Sequence, residues 1–320
     1  MNHEERIPLI VLAGPTAVGK TDLSISLAKA IGGEIISADS MAVYKYMDIG
    51  SAKITPDEME GVPHYLIDQY DPSEEFHVVE FQRAAKEAMH EIVSHGHIPV
   101  LAGGTGFYIQ ALLRDIDFTE TAGDMAYRQM LESRILSEGP EALHAELAAV
   151  DPESAAEIHA NNSKRVIRAL EYFHFTGEKI SDHNKKERER RSPYNYLYLV
   201  LNRDRGELYR RIDRRVDLMM ERGLLEEVKR LREMGYHRGM VSMQGLGYKE
   251  ILEYLEGESS LEEAVYKIKR DTRHFAKRQL TWFKREKDVV WLNMEEYSGT
   301  EELLSHILQL CAERGILPHV

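Results

Sequence analysis

A lysine and a threonine close the run Gly14-Pro15-Thr16-Ala17-Val18-Gly19-Lys20-Thr21, and they are the first residues here whose types and spacing specify chemistry. The run fits G-x-x-x-x-G-K-[ST]. An apolar stretch, Leu9 to Ala13, leads into it and a helix-like segment, Asp22 to Ala30, follows. In that setting Gly14 and Gly19 permit a tight backbone path, Pro15 stiffens the turn, and successive N–H groups from Thr16, Ala17 and Val18 onward surround a phosphate. Lys20 can set its charge on the terminal phosphate, and Thr21 can ligate Mg²⁺. The reaction stays open, because the same cradle serves phosphoryl transfer and plain diphosphate binding.

A second group of residues supplies candidate acid–base chemistry. Glu34 to Ala38 reads as a strand ending at Asp39-Ser40, which puts a carboxylate at the carboxyl edge of a parallel sheet, where α/β enzymes bind substrates. Asp39 is the first catalytic candidate. Ile98 to Ala102 reads as a buried strand delivering Gly103-Gly104-Thr105-Gly106 to the same edge. Many phosphate-loop nucleotidases end this strand with Asp or Glu, so the sequence is less like a water-activating ATPase. Thr105 can donate to a diphosphate oxygen or accept from an attacking amine. Arg211 and Arg215, one turn apart on a helix from Glu207 to Glu221, could close over diphosphate or join a salt network with Asp213 and Asp217. Lys53 is a possible phosphate contact, and His64 reads better as a structural histidine.

The elements that must hold these residues form an α/β parallel-sheet core. After about residue 116 the strand–helix alternation gives way to helices at Ala126 to Leu136, Glu141 to Val150 and Asn162 or Ser163 to Phe175, until a returning core strand around Tyr196. Residues 1–116 and about 196–320 therefore read as the core with C-terminal helices, and about 117–195 as a helical insertion. Within the insertion, Lys185 to Arg191 is the most basic short segment, which reads either as a weak RNA-contact signal or as a solvated charged loop. A long helix from Ser260 to about Arg285 carries Lys267, Lys269, Arg270, Arg273, Lys277 and Arg278 among other cations, a local positive strip in a chain of net charge −13. That points to localised phosphate-backbone contacts rather than a generally basic protein. Length, 320 residues with 43% apolar, allows a substantial core. Cys311 is the only cysteine, which excludes an intrachain disulfide or cysteine metal cluster. No run suits a signal peptide or a membrane span, so a cytoplasmic protein is expected.

Taken together, the motifs resemble the tRNA dimethylallyltransferase (tRNA isopentenyltransferase) family. The resemblance rests on GPTAVGKT at Gly14, ADSMAVYKYMDIGSAK around Asp39, PHYLID at Pro63, GGTGFY at Gly103, NNSKRVIRALE at Asn161, LYRRIDRRVDLMMERGL at Leu208, LGYKE at Leu246 and TRHFAKRQLTWFK at Thr272. It implies transfer of a dimethylallyl group from dimethylallyl diphosphate to N6 of adenosine 37 beside the tRNA anticodon. It also implies a P-loop NTPase-like core whose helical insertion and further helices grip the anticodon stem-loop; Mg²⁺ on Thr21 is the expected cofactor, and with no obligate protein partner inferred a monomer is expected. By the same resemblance Asp39 is the catalytic acid–base residue, Lys20 and Thr105 belong to the reaction centre, and Asp39, Ser40, Met41 and Ala42 contact the target region of tRNA. Lys164, Arg165, Val166, Ile167 and Arg168 form a tRNA-contact segment, with Arg128 at the RNA interface and Lys277 and Arg278 on the backbone. The family often has Gln where this chain has Ala42 and Lys164. Three other readings compete: a prenyltransferase acting on free adenine nucleotide, a small-molecule kinase, and a nonenzymatic RNA-binding protein.

Overall fold

A computed structural model describes residues 6–118 and 125–317. In chain order the elements begin with β1 (Ile7–Ala13), α1 (Lys20–Ile31), β2 (Gly33–Ala38), β3 (His64–Tyr65), α2 (Val78–Ser94), β4 (Ile98–Gly103) and α3 (Gly106–Arg114). Five helices follow: α4 (Met125–Glu138), α5 (Pro140–Val150), α6 (Pro152–Glu157), α7 (Ser163–Thr176) and α8 (Ile180–Glu189). The chain then forms β5 (Tyr194–Asn202), α9 (Arg205–Glu221), α10 (Leu224–Glu233), α11 (Tyr248–Leu255), α12 (Leu261–Phe283), β6 (Val289–Asn293) and α13 (Thr300–Glu313). Two compact units result, residues 1–113 with 193–320, and residues 114–192. Asp117 to Gly123, the stretch in which the sequence pattern changes and a boundary is expected, is described only as far as residue 118.

The first unit is built on a six-stranded sheet of order β3-β2-β4-β1-β5-β6, parallel throughout. Strand β1 lies between β4 and β5, so both its faces must be apolar. Leu9, Val11 and Ala13 point into one core with side chains of α2, α3, α10 and α11. Ile10 and Leu12 point into the other, with α1, α9 and α13. All five are fully buried.

Register decides where the chemistry lies. Ala13 pairs with Gly103 of β4 and Val200 of β5, while Ala38 of β2 also pairs with Gly103. The segments leaving β1, β2 and β4 thus emerge at one level of the carboxyl edge: the Gly14 loop, Asp39 and Gly104-Thr105. Close approach of strands there demands glycine, since a Cβ at Gly103 would overlap the Ala38 carbonyl.

The second unit packs α4, α5 and α7 around Leu131, Leu143, Leu147, Val166, Ile167 and Leu170. Asp151, 1% exposed, caps α6 by accepting from Ser154 N at 3.1 Å, and also accepts from Ser181 N at 3.0 Å at the start of α8. The basic run expected as a loop is instead helical through Glu189. Lys185 pairs with Glu153 of α6 at 2.5 Å, an exposed contact between the two helices. Among the described residues, no helix is long and apolar enough to cross a membrane.

Candidate active site

The phosphate loop holds its shape through residues that tolerate positive φ and through partners distant in sequence. Gly14 has φ 148°, Gly19 φ 110°, and Ala17 sits in the left-handed region at φ 64°. A Cβ at Gly14 would stand 2.8 Å from the Leu201 carbonyl of β5. Two arginines hold the strained turn from outside. Arg211 Nε donates to Ala17 O at 2.8 Å and Arg203 Nε to Val18 O at 3.0 Å.

Gln279 on α12 joins two walls of the site. Its Oε1 accepts from Thr16 N at 2.9 Å, and its Nε2 donates to Gly104 O at 2.9 Å. The side chain therefore links the β1–α1 loop to the end of β4. Arg203 falls outside the quoted motifs, and Gln279 sits inside TRHFAKRQLTWFK without a signal of its role there, because each meets backbone atoms distant in sequence. These bonds also correct the expectation that successive loop amides all face phosphate. The Thr16 N–H is held by Gln279 and the Val18 N–H points to Pro15 O at 3.4 Å. The amides without intrahelical partners at the start of α1 remain for an anion. Val18 and Ala17, 0% and 5% exposed, offer only backbone.

Lys20 lies half-buried and closes on its own loop, donating to Pro15 O at 2.8 Å and Gly14 O at 3.0 Å. Burial and the neighbouring Arg215 lower its pKa to about 7, against a raising pull from Asp39. Arg215 is itself lowered, by burial and then by Arg211, with Asp39 and Asp22 pulling upward. Its Nη1 lies 3.5 Å from Thr16 Oγ1. Of the two arginines proposed to close over diphosphate, Arg215 stands among Lys20, Asp39 and Thr16, whereas Arg211 is engaged with Ala17 O.

Asp39 forms a turn: Oδ1 accepts from Met41 N at 2.8 Å and Ala42 N at 3.4 Å. Oδ2 has no protein donor among the described residues. Thr105 N donates to Ala38 O at 3.1 Å, which sets Thr105 beside Asp39 just ahead of α3. Ser40 and Met41 are half-buried. Ala42, at 8% exposed, packs inward and offers little side-chain surface to a ligand.

Several expected contacts fall away. Lys53, its side chain 3% exposed, is held by Tyr44 O at 2.6 Å, Asp68 at 2.6 Å and Asp48 at 2.7 Å, so it braces a loop instead of meeting phosphate. His64, by contrast, is structural as its sequence context suggests: Nδ1 contacts Val62 O at 2.8 Å, and burial lowers its pKa. The first half of the positive strip on α12 is neutralised: Lys269 pairs with Asp217 at 2.5 Å, Arg273 with Asp213, and Lys267 with Glu253 at 3.3 Å. The second half differs. Lys277, Arg278 and Arg285 line a groove of about 380 Å³ with His274, Thr281 and Trp282.

In the second unit Val166 and Ile167, 1% and 5% exposed, belong to the core, so their side chains anchor α7 rather than face a ligand. Lys164 and Arg165 are exposed in the first turn of α7, and Arg168 is half-buried one turn on. Arg128 makes a two-point pair with buried Glu171, at 2.8 Å for both bonds.

Among the described residues, one cluster of three His, Cys, Asp or Glu side chains could hold a metal, Glu34 with His95 and His97. It lies at the amino edge of β2, away from the phosphate loop.

A family model described as IPP transferase matches residues 42–286. The tRNA dimethylallyltransferase of Lachnoclostridium phytofermentans is 60% identical over 310 residues, 97% of this chain and 99% of its own. This chain belongs to the tRNA dimethylallyltransferase (IPP transferase) family. The family's member from Bacillus mycoides is 52% identical over 96% of each chain. Among solved structures, the full-length tRNA isopentenylpyrophosphate transferase of Bacillus halodurans is similar at TM-score 0.73 and 45% identity, covering 98% of this chain and 99% of that one. A eukaryotic dimethylallyltransferase acting on tRNA is similar at TM-score 0.83 and 32% identity, covering 96% and 80%. The parallel sheet and flanking helices described above are thus the family's fold.

Proposed function

We propose that the chain transfers a dimethylallyl group from dimethylallyl diphosphate to N6 of adenosine 37 in tRNA, releasing diphosphate. The carrying observation is Asp39 standing at one edge with an anion cradle and with Thr105, where β4 ends in glycine instead of a carboxylate. Adenine N6 is a poor nucleophile, its lone pair delocalised into the ring. As the N6–C1 bond forms, the Asp39 carboxylate accepts the amine proton while the C1–O bond to diphosphate breaks. Thr105 orients the amine. Negative charge gathers on the leaving diphosphate and meets Lys20, Arg215 and the amides opening α1. Thr21 and Asp22, exposed at the amino end of α1, offer oxygen donors, which fit a hard cation such as Mg²⁺. Mg²⁺ held by Thr21 would neutralise charge on the leaving group.

For the acceptor, RNA is favoured over a free nucleotide by the second unit. Lys164 and Arg165 open α7 with no acid in its first turn, an arrangement that the helix dipole disfavours unless an anion is bound there. With Arg168 they form a phosphate-binding end. Lys277 and Arg278 supply a further backbone contact on α12. Incubation of unmodified tRNA or AMP with dimethylallyl diphosphate and Mg²⁺, followed by nucleoside mass analysis, tests the proposal. Adenosine of the tRNA should gain a five-carbon group. Prenylated AMP with unmodified tRNA would assign the chain to nucleotide prenylation, and a phosphorylated product to a kinase.

A further inference from the structure

We infer that Glu34, His95 and His97 form a binding site for a divalent transition-metal ion of the zinc class, separate from the reaction centre. Glu34 is the second residue of β2, and its side chain is 3% exposed. His95 and His97 flank Gly96 in the turn between α2 and β4, where φ 77° at the glycine bends the chain back. The bend turns both imidazoles on to one carboxylate oxygen. Nδ1 of His97 lies 2.5 Å and Nδ1 of His95 3.0 Å from Glu34 Oε1, and the three ligand atoms fall within 4.8 Å of one another. The rings meet edge-on at 74°, with centroids 6.1 Å apart, so their nitrogens approach the same point from different directions.

The donor set selects the ion. Two imidazoles and a carboxylate suit zinc and its transition-metal neighbours, whereas Mg²⁺ and Ca²⁺ prefer oxygen. Ligand atoms about a tetrahedral zinc stand roughly 3.3 Å apart, so a small outward movement of two exposed side chains admits the ion. The other carboxylate oxygen is already fixed. Tyr65 of β3 donates its hydroxyl to Glu34 Oε2 at 2.7 Å, the outer contact that metal-binding carboxylates commonly have. Water completes the coordination, because His95 and His97 reach solvent. From Glu34 to Asp39 the strand rises about 16 Å, which keeps this ion out of the transfer step. Bound there, the ion pins the α2–β4 turn to β2.

The test is competition for zinc between the full-length chain and a chromophoric chelator, with melting followed in parallel. The wild-type chain should take one zinc ion and melt at a higher temperature with zinc than without. The His95→Ala/His97→Ala chain, changed only at exposed side chains, should fold, lose that ion and show no zinc-dependent rise. Tyr65→Phe keeps all three ligands and should weaken zinc at least tenfold. Equal zinc uptake by the wild-type and double-variant chains would overturn the assignment, as would a wild-type chain that leaves the chelator saturated.

Discussion

Replacing Gln279 by Met probes how the two walls of the reaction centre are held together. Methionine fills a similar volume but can neither accept from Thr16 N nor donate to Gly104 O, the two bonds of 2.9 Å that Gln279 makes. An unpaired buried polar group costs about 1–3 kcal/mol. Gly104 is buried, whereas Thr16 is half-exposed and water can replace part of its loss. The expected destabilisation is therefore about 2–4 kcal/mol, below the sum of two full penalties. If 1–2 kcal/mol of that appears as misplacement of the phosphate loop against Thr105, transfer slows by about 5- to 30-fold. Urea unfolding measures the first quantity. Single-turnover transfer with both substrates saturating measures the second. Gln279→Glu retains the acceptor for Thr16 but sets a carboxylate against the Gly104 carbonyl, so it should be no better than methionine. A Met variant with wild-type stability and rate refutes the linkage. One that unfolds more readily yet transfers at the wild-type rate shows that Gln279 braces the fold without positioning the loop.

Four further outcomes follow from the same geometry. Asp39→Asn should lower the single-turnover rate by about 10²–10⁴-fold with tRNA affinity nearly unchanged, as binding assays run beside the kinetics would show. Lys20 is depressed to about 7 and its unfolded value is higher, so above pH 7 the folded chain holds fewer protons at this group than the unfolded chain. Its unfavourable contribution to folding is full below pH 7 and fades as pH rises through the alkaline range. An incoming diphosphate restores the ammonium, so calorimetry at pH 7.5 in buffers of different ionisation enthalpy should show proton uptake on pyrophosphate binding that Lys20→Met reduces. Neutralising Lys277 and Arg278 together should weaken tRNA binding and flatten its log–log salt slope by about one to two, while AMP or pyrophosphate binding stays unchanged. Glu171→Gln leaves Arg128 one acceptor in place of two and removes its charge partner, and should destabilise the chain in urea without altering pyrophosphate affinity.

The legible parts were those with local signatures. The β1–loop–α1 unit combines an apolar run, a fixed glycine spacing and a helix start, and Asp39 follows a strand with clear β-branched content. Ser260 likewise announced α12, and its side chain accepts from Glu263 N at 3.2 Å. Helix α8 is hidden because alternating charges carry no apolar period, and the partners of Lys185 and Lys186, Glu153 and Glu178, lie outside the helix. Helix α3 was hidden by the glycines of Gly103 to Gly106, which read as a loop. Arg203 and Gln279 were invisible for a different reason: their partners are backbone atoms 185 and 263 residues away. The positive strip was overread because sequence spacing assigns Asp213 and Asp217 to arginines of their own helix, while the fold turns them toward Arg273 and Lys269 of α12.

The place of β1 in the sheet has a consequence for how the chain is made. Its neighbour on one side, β4, ends at Gly103, but its neighbour on the other, β5, starts only at Tyr194. Between them the ribosome must synthesise the entire second unit. At about 5–20 residues per second, those 80 or so residues occupy roughly 4–16 s. Through that interval the most apolar strand of the protein presents an unpaired edge, the feature that invites pairing with other chains. Newly made protein should thus be most prone to aggregate when synthesis stalls within the insertion, and least once residue 202 has cleared the exit tunnel.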